Sequence, residues 1–206
     1  MDIKNLIKLL EQVLNESPVQ KKYSGEPLFD SPKDIDTIID KCYELYKTNT
    51  DGNGYNEVLD LTLSRQIPFL KTKLESPIHI VYGNSNLGIR HILENRAKEF
   101  TDKNIGLRMS EQAILKALKQ LPQALKSGAV LVDFDLKGDN KKKKSVRKNS
   151  IPLPLTDRII LDYDDIYYIV LLQGRDGLSD MTCPLTLFKP TREYRSRIEQ
   201  LSVLYK

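Results

Sequence analysis

The chain reads as an α+β protein: a helical amino-terminal region, then helices packed on a four-stranded antiparallel β-meander, closed by a short carboxy-terminal helix. Two observations predict it. Apolar residues recur at helical spacing through the early part of the chain, and after Gly128 the period switches to two, with Gly- and Asp-containing turns between the apolar runs.

The elements follow in order. Leu6, Ile7, Leu9, Leu10, Val13 and Leu14 give a helix over residues 2–15, which Ser17-Pro18 and Gly25-Glu26-Pro27 interrupt. Ser31 as N-cap, Pro32 at the first helical position, and Asp34 and Asp36 near the positive end open a second helix, which runs to about Lys47. Asp51-Gly52-Asn53-Gly54 forms a turn, and a third helix is expected from Tyr55 to about Arg65. Ile67-Pro68 and Ser76-Pro77 bracket a connector, so residues 1–75 are set apart as a helical accessory region and residues 76–206 as the main domain. Within the latter, Ser110 caps a helix striped by Ile114, Leu115, Leu118, Leu121 and Leu125, kinked by Pro122 and ended by Gly128. Strands are expected over Ala129–Leu136, Arg158–Tyr163, Ile166–Gln173 and Thr182–Lys189, before a last helix carrying Tyr194, Ile198 and Leu201.

Composition excludes several classes. The 206 residues carry a net charge of +4, and no apolar run approaches the ~20 residues that span a bilayer. The start, Met1-Asp2-Ile3-Lys4-Asn5-Leu6, lacks a continuous signal-peptide core. The expected location is the cytoplasm, or a target cell's cytoplasm reached without a classical signal peptide. Cys42 and Cys183 are far apart and read as reduced thiols. With only His79 and His91 to add, no metal site and no cofactor are expected. Lys141, Lys142, Lys143, Lys144, Arg147 and Lys148 crowd one short segment, a solvated charge run by default and an attractor for a polyanion such as RNA by function.

The segment from Tyr82 to Arg96 carries the chemistry. A small-residue turn, Gly83-Asn84-Ser85-Asn86, feeds a helix in which Ile89, Ile92, Leu93, Arg96 and Phe100 fall on one stripe at 100° per residue. His91 lies roughly opposite, beside Glu94 and Asn95, where a ring of ordinary basicity suits proton transfer. Gly83 to Gly88 lacks the Lys-Ser or Lys-Thr of a P-loop, which disfavours nucleotide binding by that route, although a helix N-terminus can hold a phosphate. There is no GxSxG elbow to support a serine hydrolase. Thr182 and Thr186 share one face of the last strand by period two, with Lys189 on the other.

Three pieces in order resemble the phage- and toxin-associated branch of the barnase/EndoU/colicin/RelE-type ribonucleases. They are Tyr82-Gly83-Asn84 with Gly88-Ile89-Arg90-His91-Ile92-Leu93, then Ala117–Gly128 with its Leu121-Pro122, and finally Pro184-Leu185-Thr186-Leu187-Phe188. The resemblance covers residues from about 80 to 190 and stops short of residues 1–75. It implies metal-independent cleavage of RNA, in which a ribose 2′-OH attacks the adjacent phosphate to leave a cyclic phosphate. His91 matches the family's acid or base, and Thr186 its phosphate-binding threonine. A sheet arginine is commonly added, for which Arg158 is the first candidate and Arg147 the second. Lys141–Lys144, Arg147 and Lys189 are the expected RNA contacts. Several relatives place tyrosine where this chain has Phe188, so that Tyr163, Tyr167 or Lys189 must substitute or activity falls. The expected function is therefore an endoribonuclease of the toxin or phage-borne effector type, with RNA as ligand and an immunity protein or antitoxin as partner. The alternative is a non-catalytic RNA- or protein-binding module on the same fold.

Overall fold

The computed structural model describes residues 34–50, 55–84, 88–97, 105–134, 152–172 and 181–205. The helix expected over residues 2–15, the Ser31-Pro32 helix start and the lysine tract with Arg147 lie outside these residues. The described chain is α+β, with helices α1 (Ile35–Lys47), α2 (Gly88–Ala97), α3 (Glu111–Lys119), α4 (Leu121–Ser127) and α5 (Arg192–Val203). Strands are β1 (Tyr55–Ile67), β2 (Thr72–Val81), β3 (Gly106–Leu107), β4 (Ala129–Phe134), β5 (Pro154–Tyr163), β6 (Ile166–Leu171) and β7 (Cys183–Pro190).

Asp34 caps α1 by accepting from the Thr37 amide. Ser110 and Thr191 cap α3 and α5 in the same way, through the Ala113 and Tyr194 amides. Pro122 does more than kink its helix. It sits in the first turn of a separate helix, α4, so that Gln120 ends α3 and begins α4.

The expected third helix is a strand, and this corrects the reading of the amino-terminal region as wholly helical. Leu61, Leu63 and Ile67 are buried while Thr62, Ser64 and Gln66 are exposed, which is a period of two. β1 pairs antiparallel with β2 from Tyr55↔Val81 to Ile67↔Thr72, with an irregularity between Val58 and Thr62. The boundary expected near residue 75 falls inside β2.

The main sheet has five strands in the order β3-β7-β6-β5-β4, all antiparallel. The four-stranded meander is there, and the two-residue β3 adds a fifth strand beside Lys189 and Pro190. The hairpin joins this sheet through an isolated parallel bridge, Ile78↔Thr182, with the His79 amide donating to the Thr182 carbonyl at 2.9 Å. Beneath that bridge the buried hydroxyls of Ser76 and Thr182 meet at 2.8 Å.

Apolar burial holds both faces. On one, Ile159, Leu161, Tyr168, Val170 and Leu187 pack with α1–α4 and the hairpin into a continuous core. On the other, Ile160, Tyr167, Ile169 and Phe188 pack with Tyr194 and Ile198 of α5. Each fully buried aliphatic side chain contributes about 1.5–3 kcal/mol. α5 also covers the free edge of β4, where the Val132 amide donates to the Ser202 hydroxyl. No helix among the described residues is long and apolar enough to cross a membrane.

Candidate functional site: a half-buried arginine on a strand threonine

β2 delivers the chain to α2 through Gly83 and Gly88, both with positive φ. A Cβ on Gly88 would stand 2.6 Å from the Val81 carbonyl oxygen and 2.8 Å from that of Tyr82, so only glycine lets α2 begin this close to β2. The Arg90 amide already donates to Tyr82 O at 2.9 Å, which removes one of the free N–H groups a phosphate would need at this helix start.

Ile89, Ile92 and Leu93 are fully buried and fix the rotation of α2. Arg96 shares their stripe, and this carries its guanidinium to the sheet. Nε and Nη2 both donate to Thr186 Oγ1, at 3.1 and 2.9 Å. The guanidinium also lies 5.7 Å from the centre of the Phe188 ring. Burial pulls the basicity of Arg96 down to about 10, which leaves it cationic at neutral pH but poorly solvated. An under-solvated cation beside a hydroxyl is a receptor for an oxyanion.

Register places the other candidates. Thr186 stands opposite Ile169, and Ile169 opposite Ile160. Arg158 is two residues from Ile160 along β5, so Arg158 and Thr186 lie on the same face, the one whose apolar residues pack against α5. They are not adjacent, because two strand spacings and a step along the sheet put their Cα positions about 12 Å apart. Arg158 Nε lies 3.0 Å from Asp133 Oδ2 without hydrogen-bond alignment, a charge pair rather than a clamp.

The expectation that Thr182 and Thr186 share a face is overturned by a bulge. Ile169 pairs with Thr186 while Val170 pairs with Pro184, so Leu185 is an extra residue that inverts the alternation. Thr182 is buried against Ser76 on the opposite side from Thr186. Lys189 is exposed and, one residue past Phe188, faces away from Thr186.

His91 is half-buried on α2, and its ring is oriented by Asn95 rather than Glu94. Asn95 Nδ2 approaches His91 Nδ1 at 2.9 Å and also donates to the His91 carbonyl at 3.1 Å. A carbonyl can only accept, so that nitrogen is a donor and Nδ1 is the ring's acceptor. The neutral ring then carries its proton on Nε2. Glu94 instead takes Arg90 Nε at 2.9 Å.

Of the groups that could replace a tyrosine at Phe188, Tyr167 has its hydroxyl buried without a hydrogen-bond partner among the described residues, and burial pushes its acidity further from neutrality. Tyr163 is partly buried at the end of β5. Arg96 is a candidate side chain that sequence reasoning assigned to packing. The signal was present: a cation inside an apolar helical stripe must find a polar partner where the stripe is buried. The chain matches no model of a known protein family, no characterised protein and no solved structure.

Proposed function

We propose that this chain is a metal-independent endoribonuclease of the toxin or phage-borne effector type, which cleaves RNA by 2′-OH attack and leaves a cyclic phosphate. The carrying observation is the half-buried Arg96 guanidinium held on Thr186, on the same helix as a histidine of fixed tautomer. In this reading Arg96 and Thr186 hold the scissile phosphate and stabilise the charge of the phosphorane. His91 acts as general acid from its imidazolium form, in which the Asn95 amide turns its oxygen to accept from Nδ1–H; the ring gives its Nε2 proton to the leaving 5′ oxygen and is left neutral. The resemblance to the phage- and toxin-associated ribonucleases belongs to the same proposal. So do a neutralising immunity protein or antitoxin and action in a cytoplasm, whether that of the producing cell or of a target cell.

A non-catalytic RNA- or protein-binding module is the second reading. Phe188 and the buried Tyr167 hydroxyl favour it, since neither offers the second proton-transfer group that the reaction needs. The deciding experiment is incubation of the protein and of His91→Ala with total RNA in EDTA. Fragments ending in 2′,3′-cyclic phosphate with the parent protein and none with the variant support the enzyme. RNA bound but left intact by the parent protein supports the binding module.

A further inference from the structure

We propose that His79, Met181 and Cys183 form a site for a soft monovalent metal ion, Cu(I), where the β1–β2 hairpin meets β7. The site uses neither Arg96 nor Thr186 and does not rest on the RNA reading above.

Two adjacent chain segments bring the ligands together. Ile78 and Thr182 are partners in a parallel bridge, and the His79 amide donates to the Thr182 carbonyl at 2.9 Å. Ser76 and Thr182 meet on one face of this junction, so the alternate residues His79, Met181 and Cys183 belong to the other. The same register sets His79 beside Cys183 and diagonal to Met181, across a strand spacing of ~4.8 Å. The packing agrees. Val81, two residues on from His79 in β2, shares a buried cluster with Met181, Cys183 and Leu171.

His79 is held as metal-bound histidines are held. Its Nε2 lies 3.3 Å from Oε2 of Glu57, its cross-strand partner on β1. A carboxylate there keeps the proton of the neutral ring on Nε2 and leaves the lone pair on Nδ1, which is buried. The two ring nitrogens point in divergent directions, so an Nε2 turned toward β1 turns Nδ1 back toward β7.

The donor set selects the ion. Among the described residues no three His, Cys, Asp or Glu side chains gather to hold a metal, as a Zn²⁺ site would require. The third donor here is a thioether, and thiolate, thioether and imidazole together suit Cu(I). Met181 and Cys183 are 7% and 3% exposed, which keeps water off the ion. The His79 side chain, at 12%, leaves an entry beside Glu57. As the bond from copper to Cys183 Sγ forms, the thiol proton leaves to solvent, and no electron is transferred.

The test is titration of the reduced full chain with Cu(I) against the chromophoric chelator bicinchoninate, followed by X-ray absorption at the copper edge. The parent protein should take up one ion per chain and show two sulfur neighbours and one nitrogen. Cys183→Ser should abolish uptake. Glu57→Gln, at a side chain 46% exposed, should weaken it by about tenfold, because the ring loses its orienting carboxylate. Met181→Leu should weaken it further and leave one sulfur neighbour. Cys42→Ala should bind as the parent does, which places the ion at the other thiol. No uptake by the parent, undiminished uptake by Cys183→Ser, or a copper shell without two sulfurs overturns the site. The last of these is read on the parent and needs no variant to fold. Each outcome leaves the RNA reading as it stands.

Discussion

Arg96 and Thr186, separated by 90 residues, are joined by two hydrogen bonds from one guanidinium to one hydroxyl. The contact ties the last turn of α2 to β7 and puts a desolvated positive charge at the face of the sheet. Taking an ion out of water costs several kcal/mol. The apolar stripe of Ile89, Ile92 and Leu93 offsets that cost, so the packing of α2 forces the charge into place.

An oxyanion that Arg96 binds in the folded state stabilises that state, and the effect is measurable. Inorganic phosphate at about 100 times its dissociation constant should stabilise the protein by about 2.7 kcal/mol. For a chain of this size that is about 5–10 °C in melting temperature. Arg96→Gln should abolish the phosphate dependence while melting near the parent temperature in plain buffer. Thr186→Val should instead lower stability by about 1–3 kcal/mol, because it removes the hydroxyl that accepts two donors of the half-buried Arg96. An equal phosphate shift in the parent and Arg96→Gln would place the anion elsewhere.

Asn95 makes a second prediction, through His91. Its amide holds Nδ1 as the acceptor and so keeps the proton on Nε2. Asn95→Leu removes that constraint and lets the other tautomer and other ring orientations compete. RNA cleavage is expected to fall by about tenfold, short of the 10²–10⁴-fold that loss of an acid–base group itself costs. Binding of 2′-O-methyl oligouridylate, which cannot be cut by 2′-OH attack, should be unchanged, since Asn95 is not among the residues that hold the phosphate. A loss of affinity in step with the rate would show that Asn95 supports the binding face rather than the proton-transfer group.

What could be read from the sequence divides along physical lines. The four meander strands, α3 and α5 were legible because each has its own periodicity and its own cap or turn, whereas α4 was read as the kinked end of α3. β1 was misread as helix because Leu59, Leu61 and Leu63 next to Val58 and Ile67 satisfy a helical spacing almost as well as a strand's, and the partner β2 that decides the matter is a separate segment. β3 is only two residues long and exists by virtue of its pairing with Lys189 and Pro190. At the site, the stripe of α2 was legible, and so was the place of His91 outside it. The meeting of Arg96 with Thr186 was not, because it depends on how α2 crosses β7. The bulge at Leu185 likewise leaves no mark in the sequence, yet it decides which threonine faces the arginine.

The far end of the same face yields a prediction about pH. Asp162 is bonded to Arg195 at 2.6 Å, yet burial raises its basicity above that of an ordinary carboxylate, outweighing the pull of the arginine. The folded state therefore binds this proton more tightly than the unfolded chain does. The associated stability is fully present below the unfolded value and is lost as pH rises through the folded one. Asp162→Asn removes the titration while its amide oxygen can still accept from Arg195, which also keeps Asp165 at 3.3 Å and the Tyr167 ring at 5.1 Å. Urea midpoints measured from the acid range to neutrality should therefore show Asp162→Asn gaining on the parent as pH rises. Parallel curves would mean that Asp162 titrates alike in both states. A parent that gains on the variant as pH rises would mean that the attraction of Arg195 exceeds the cost of burial, and that α5 is held to the sheet by charge.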